Sequence, residues 1–452
     1  MPPLIQEEMV KMIMKGEIHR ITLNSASLII ARALSAIILY WSDAYAARHL
    51  GANSIGLYYW SLYITSYITI VCGLGMAAIG QREVAKYPII TRKMISSVIS
   101  LQIILAVMGF FGLIGWSALC NGLHSETIIL SIVGMNVVFN SLRPTWILQA
   151  HQRMALTPLI SLLTDAMQAS IVVLLVRNTS DSYSYAAISL LSQFLKINFE
   201  WWYLGHLNIA SIRAFTFSKR GWFPIIRASL PIAISRGAVS VYYTLDAVII
   251  GLFYGDAAVG LYGSAYSLML ALTVPCIAIL TSFEPVLASS YRQSGDKTRG
   301  VSLQFTKILC WIGFPLTAVA FVSGRAIYTT IYGADFEAGA GYFQWLTLNI
   351  ALIYINVSLA NPLIAWGYQR QHMNITLLSA ALNISLNFAI IPIMHIYGAV
   401  IATVASEVFV FSVTYFYRRL KHLFWFPLYR VLFLPVLFSM IILIFGKWLQ
   451  LK

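Results

Sequence analysis

Residues 94–118 read MISSVISLQIILAVMGFFGLIGWSA, a long continuous apolar run without the alternation of a half-buried strand. A bilayer-spanning helix needs about 20 mostly apolar residues, and this stretch supplies them. With no water to satisfy stray backbone groups, only helices and closed barrels cross a membrane, and the continuity of the run selects the helix. Comparable runs lie near 24–48, 56–80, 126–150, 156–177, 184–208, 224–253, 257–288, 304–331, 340–366, 373–393 and 397–418, which makes twelve spans. A further run near 427–447 contains Arg430 and Pro435 and reads either as a thirteenth span or as an interfacial segment. Over the whole chain 59% of residues are hydrophobic and 10% charged. A soluble domain carries roughly a quarter charged residues, so lipid is the main solvent here. The expected fold class is an all-α integral membrane protein with no room for a soluble catalytic domain.

A formal charge of +14 would suggest nucleic acid as the partner of a soluble protein. Here it follows the connections between spans instead. Arg82, Lys86, Arg92 and Lys93 follow span 2, Arg153 follows span 4, and Arg213, Lys219 and Arg220 follow span 6. Arg292, Lys297 and Arg299 follow span 8, Arg370 follows span 10, and Arg418, Arg419 and Lys421 follow span 12. The odd-numbered connections are neutral or acidic, with Glu126, Asp181, Asp256, Asp335 and Glu337. Basic loops stay in the cytoplasm, which puts the amino terminus inside, marks most of the charge as an insertion signal and leaves no expectation of nucleic acid. Glu7, Glu8, Lys11, Lys15, Glu17 and Arg20 precede the first span, and no cleavage site follows it. That span is expected to act as an uncleaved anchor behind a short interfacial helix. Cys72, Cys120, Cys276 and Cys310 lie far apart without metal-ligand or redox spacing and read as packing residues.

An internal repeat survives. Ser25, Arg32, Gly51 and Gly56-Leu57-Tyr58 recur at one constant offset as Ser229, Arg236, Gly255 and Gly260-Leu261-Tyr262. Ser141-Leu142, Ile147 and Gln152-Arg153 recur at a similar offset as Ser358-Leu359, Ile364 and Gln369-Arg370. Six spans separate the matches, so the two repeats run the same way through the membrane. Secondary transporters commonly carry such repeats and bind substrate between them; a duplication that merely enlarged the bundle is the alternative. The expected organisation is a cytoplasmic segment over 1–20, an amino-terminal lobe over 21–210, a loop over 211–222, a carboxy-terminal lobe over 223–420 and a hydrophobic segment over 421–452.

Arg48-His49-Leu50-Gly51, Gly56-Leu57-Tyr58, Gly73-Leu74-Gly75 and Arg82-Glu83-Val84 resemble the amino-terminal pattern of bacterial polysaccharide-transport proteins. Ser229-Leu230-Pro231 with Asp246, Tyr332-Gly333 with Phe336, and Gly398-Ala399, Ile401-Ala402-Thr403 and Ser406-Glu407 extend the likeness. Together they resemble the O-antigen flippases of the Wzx type, in the superfamily that also holds multidrug-and-toxin extruders and the lipid II flippase. The resemblance implies two six-helix lobes in a V around a central cavity, in the inner membrane of a bacterium. It implies that an undecaprenyl-pyrophosphate-linked oligosaccharide moves from the inner to the outer leaflet, with a polysaccharide polymerase and a chain-length regulator as partners. No cofactor or metal is expected.

A charged side chain at the centre of a membrane helix costs about 2.5–3.5 kcal/mol on insertion scales, so such residues usually face a partner or a wet cavity. Arg32, Arg143, Lys196, Arg236 and Arg325 stand beside Asp43, Asp165, Glu200, Asp246 and Glu407. Guanidinium and ammonium groups bind phosphate oxygens, which makes Arg32, Arg143, Lys196 and Arg236 candidates for a pyrophosphate site. Asp43, Asp246 and Glu407 are candidates for gating or ion coupling. The competing reading is static ion pairs: Lys196 with Glu200 four residues on, Asp165 as a counterion, and Arg325 snorkelling to the interface. Trp201-Trp202-Tyr203 and Tyr242-Tyr243 read as interfacial anchors or as rings that stack on sugars. His49, His124 and His395 have no nucleophile at a suggestive spacing, and the external loops are short, which disfavours a polymerase or acyltransferase. No phosphate-binding glycine loop is present either. A cation-coupled drug exporter is the nearer rival; it calls for unpaired acidic residues in its cavity.

Overall fold

The computed structural model describes residues 3–121, 124–154, 156–210, 221–291 and 293–450, with side chains from Ala31 on, apart from positions 88, 121 and 447–450. The loop residues Arg213, Lys219, Arg220 and Arg292 lie outside the described residues. So do the side chains of Glu7, Glu8, Lys11, Lys15, Glu17, Arg20 and Ser25. Among the described residues the chain is helical throughout, without strands. The amino-terminal half comprises α1 (Pro3–Gly73), α2 (Met76–Lys86), α3 (Thr91–Asn121), α4 (Ser125–Ser141), α5 (Thr145–Ala150), α6 (Thr157–Leu175) and α7 (Ser182–His206). The carboxy-terminal half begins with α8 (Trp222–Tyr254), α9 (Asp256–Ala271), α10 (Val274–Tyr291), α11 (Gly295–Tyr332) and α12 (Glu337–Leu346). It ends with α13 (Leu348–Ala365), α14 (Gln369–Met394), α15 (Ile396–Leu420) and α16 (Tyr429–Gln450).

Eleven helices among the described residues are long and apolar enough to cross a membrane, and the chain is a multi-pass membrane protein. The apolar stretch Ala31–Gly73 holds two spans, because α1 turns sharply at Gly51, with φ 75° and ψ 166°. The same turn separates α8 from α9 at Gly255, with φ 79° and ψ −177°. Side chains other than hydrogen rarely tolerate that backbone region, so the repeat in the sequence is a repeated turn in space. Four expected spans are each broken rather than continuous, at residues 74–75, 142–144, 272–273 and 347. Span 6, which is α7, is not among the eleven; Gln193, Lys196, Asn198 and Glu200 interrupt its apolar run together.

The final helix is a span in its geometry. Phe438 of α16 meets Trp311 of α11, and Gly446 packs against Val322 further along, so α16 runs beside α11 in the same direction. An interfacial helix would instead lie across the bundle.

Contacts at both membrane faces join the halves. At the face of the acidic connections, α1 and α9 cross at Gly56 and Gly260. A Cβ on Gly56 would lie 1.8 Å from the Asp256 carbonyl oxygen, and one on Gly260 would lie 1.9 Å from that of Ala52. Backbone therefore touches backbone, which explains why the Gly-Leu-Tyr motif recurs. Around this crossing Leu50, Ile55, Val259, Tyr262, Tyr328 and Phe343 form one buried core shared by both halves. At the face of the basic connections, the start of α8 packs on the amino-terminal half. Ile225 joins the cluster of Met76, Ile95, Trp146 and Leu204, and the Trp222 indole N–H donates to Ser100 Oγ at 3.2 Å.

Candidate functional site

Between the halves lies a cavity of about 780 Å³. Tyr40, Asp43, Tyr59 and Tyr63 of α1, Asn136 and Asn140 of α4, and Tyr185 and Lys196 of α7 line one wall. Tyr243 and Thr244 of α8 and Tyr266 of α9 line the other. Hydroxyl, amide and aromatic side chains alternate with the aliphatic Leu39, Leu62, Ile70 and Leu270, a surface that offers both hydrogen bonds and ring faces to a ligand.

The charged candidates separate into distinct settings. Lys196 lines the cavity, and its Nζ lies 2.5 Å from Asp165 Oδ1, both side chains being buried. Ser35 of α1 donates to the other Asp165 oxygen, so one carboxylate ties together α1, α6 and α7. Arg143 sits at the break between α4 and α5. Its Nη2 lies 3.7 Å from Glu200 Oε1, its Nε donates to Thr145 Oγ1 at 3.0 Å, and Thr145 in turn donates to Glu200 Oε2 at 2.8 Å. The expected Lys196–Glu200 neutralisation is corrected: the two sit one turn apart on α7 but each takes a partner on another helix. Asp165 is the counterion of Lys196. Arg32 and Arg236 are exposed, without an ion-pair partner among the described residues. The structure therefore does not gather the four cations into one cluster; only Lys196 lines the cavity.

The acidic candidates are held by neutral donors. Asp43 accepts from Tyr59 Oη at 2.5 Å and from Tyr185 Oη at 2.7 Å. Asp246 accepts from Tyr262 Oη and from the Ala247 N–H at 2.8 Å. The aspartate–tyrosine contact thus recurs in both halves, shifted by one residue against the motif offset. Glu407 accepts from Tyr242 Oη at 3.0 Å and from Asn356 Nδ2 at 2.6 Å. None of the three carboxylates has a cationic partner among the described residues. Arg325 pairs with Glu337 at 2.5 Å, both well exposed.

The tyrosines Tyr242 and Tyr243 face cavities rather than an interface, while Trp201 is buried, donating its indole N–H to Leu142 O at 2.9 Å. Tyr40 Oη and Tyr332 Oη, 3.2 Å apart, bridge the halves. His49 and His395 pack on Tyr45 and Tyr254, with ring centroids 4.1 and 4.4 Å apart, and neither lines the central cavity. On the basic-loop face, burial holds the His151 imidazole below its ordinary pKa beside Thr91 Oγ1 at 3.1 Å. Sequence reasoning missed Arg418, expected as a loop marker. It is 2% exposed, donating to Leu359 O at 3.2 Å and Ser302 Oγ at 3.1 Å under the Trp366 ring.

A family model described as polysaccharide biosynthesis protein matches residues 21–290. The chain belongs to that family. No curated protein matches it. Among solved structures, this polysaccharide biosynthesis protein is similar to the lipid II flippase MurJ in an inward closed conformation. The TM-score is 0.76 at 15% identity, covering 94% of this chain and 93% of that one. A MATE-family multidrug resistance transporter of the MOP superfamily, inward-facing, gives 0.66 at 14% identity over 85% and 97%. A MOP superfamily transporter from Pyrococcus furiosus, described as having a binding pocket of reversed polarity, gives 0.56 at 16% over 86% and 94%. At such identities the likeness establishes the fold, which agrees with the resemblance drawn from the motifs.

Proposed function

We propose that this chain is a flippase of the bacterial inner membrane. It carries an undecaprenyl-pyrophosphate-linked oligosaccharide, such as an O-antigen repeat unit, from the cytoplasmic to the outer leaflet by alternating access. The observation that carries this reading is the polar, tyrosine-rich cavity between two repeated halves in a polysaccharide biosynthesis protein, with Lys196 on its wall. With the basic connections in the cytoplasm, the Gly56–Gly260 crossing closes the outer side. Arg32 and Arg236 then lie in the cytoplasmic halves of their spans, exposed and without an ion-pair partner among the described residues, where they meet an entering diphosphate first. Lys196 would receive it deeper in, exchanging Asp165 for phosphate. The halves would part at Gly56–Gly260 and at Tyr40–Tyr332 to release the glycan outside. Asp43 and Asp246, held by Tyr59, Tyr185 and Tyr262 about 12–13 Å along their helices from the Gly51 and Gly255 turns, would gate that motion.

A second reading, a cation-coupled drug exporter, is favoured by Asp43, Asp246 and Glu407, which lack cationic partners among the described residues. Deleting the gene separates the two. The flippase reading expects loss of surface polysaccharide and accumulation of the lipid-linked oligosaccharide, restored by the intact chain and poorly by Lys196→Ala. Unchanged surface polysaccharide with increased drug sensitivity would favour the exporter.

A further inference from the structure

A second cavity, of about 440 Å³, lies wholly within the carboxy-terminal half among α8, α13, α14 and α15. Glu407 lines it, 7% exposed and held only by neutral donors, and Asn356 does too, 5% exposed, with its Oδ1 buried and without a partner. Ser235, Asn361, His372, Thr376 and Ser379 bring further hydroxyl, amide and imidazole groups to the same walls. The Tyr243 ring lines both this cavity and the central one, so the two adjoin across a single side chain.

Three features decide what fits. The volume falls within the ~300–1,000 Å³ of small-molecule sites and far exceeds the ~30 Å³ share of one water, so a bare ion would leave it largely unfilled. A buried carboxylate and an unpaired amide oxygen both call for a donor-rich ligand, since buried acceptors without partners are costly. Thr376 and Asn361 each donate to a carbonyl of their own helix, which leaves their oxygens as acceptors; a polyhydroxylated ring supplies donors in several directions at once and lays its C–H face on an aromatic wall.

We propose that this cavity is a glycan subsite, which holds a sugar ring of the lipid-linked substrate while the diphosphate lies in the central cavity by Lys196. Glu407 and Asn356 accept hydrogen bonds from sugar hydroxyl or acetamido groups, and Tyr243 is the ring at the junction. The assignment rests on the flippase reading and deepens it: the amino-terminal half recognises the diphosphate common to all such lipids, and the carboxy-terminal half reads the sugar. It also gives Tyr242-Tyr243 a role that membrane anchoring does not, with Tyr242 fixing Glu407 from the side.

The test uses the full chain in lipid nanodiscs and two probes, undecaprenyl diphosphate and the same lipid carrying one N-acetylhexosamine. Glu407→Gln and Tyr243→Ala are expected to weaken the sugar-bearing probe roughly tenfold, the effect of losing a charge-assisted bond or a stacking face. Binding of the sugar-free probe by Glu407→Gln is expected to stay within about twofold, and Tyr243→Phe is expected to bind both probes as the unaltered chain does. Lys196→Ala is expected to weaken both probes alike. Equal effects of Glu407→Gln on both probes, or on neither, overturn the subsite while leaving the flippase reading intact. A requirement for sodium or protons that Glu407→Gln abolishes without sugar selectivity assigns the cavity to an ion and also overturns it. Failure of the unaltered chain to bind either probe overturns the flippase reading and the subsite with it.

Discussion

The two halves share one architecture and differ in how they treat buried charge. In the amino-terminal half Asp165 faces Lys196 and Glu200 faces Arg143, so these two carboxylates have cations on neighbouring elements, while Asp43 is held by the Tyr59 and Tyr185 hydroxyls. In the carboxy-terminal half Asp246 and Glu407 meet only phenols, amides and backbone, and Arg418 meets two carbonyls, a hydroxyl and aromatic rings. Duplication therefore copied the turns at Gly51 and Gly255, the backbone crossing at Gly56 and Gly260 and the aspartate–tyrosine contact, but not the buried ion pairs. Charges that cancel within one half anchor its helices and can be exchanged for a ligand charge. Charges met by dipoles keep their sign and stay available to a neutral, hydrogen-bonding ligand.

Breaking one ion pair should have the largest effect. Asp165→Asn leaves the Lys196 ammonium buried without a counterion, a loss of about 3–5 kcal/mol that thermal unfolding in detergent would read. Adding Lys196→Met should recover most of it; a single variant as stable as the unaltered chain would remove the distinction between the halves. Next come the matched tyrosines. Tyr262→Phe should cost about 1.5–3 kcal/mol, because Asp246 then keeps only the Ala247 N–H. Tyr59→Phe should cost less, since Asp43 retains Tyr185; the reverse order in melting temperatures would mean the two contacts are not equivalent. Gly56→Ala drives a methyl into the Asp256 carbonyl and should destabilise by about 1–3 kcal/mol, lowering the yield of a disulfide engineered across the α1–α9 crossing. Gly73→Ala, with open space around it, is the control and should change neither. The smallest effect is expected for Arg325→Ala, at most about 1 kcal/mol, because both it and Glu337 are exposed.

Much of the fold was legible because lipid imposes a simple rule: every span must be apolar for its length, and loop charges follow the insertion rule. The repeat was legible where backbone geometry permits one residue type, at Gly51, Gly255, Gly56 and Gly260. The breaks within spans at 74–75, 142–144, 272–273 and 347 were not, since neighbouring helices and side chains can re-satisfy freed backbone groups without a mark in the apolar pattern. Charge pairing was misread for a related reason. The spacing of Lys196 and Glu200 on one helix face suggested a local pair, but tertiary partners on α6 and at the α4–α5 break prevail over a contact worth only ~0.2–0.5 kcal/mol. Arg418 was taken for a loop marker because position along the chain does not reveal that the segment after α15 folds back over it. The second cavity had no visible signature, as Asn356, Asn361 and Ser379 lie scattered over two helices and gain meaning only when α13 and α14 pack together.

The most direct test is leaflet transfer by the purified chain. Reconstituted into vesicles with undecaprenyl-diphosphate-linked oligosaccharide, it should raise the fraction of glycan open to an externally added glycosidase beyond that of protein-free vesicles, and Lys196→Ala should abolish the rise. Transfer no faster than in protein-free vesicles, with the protein folded and inserted, would contradict the account.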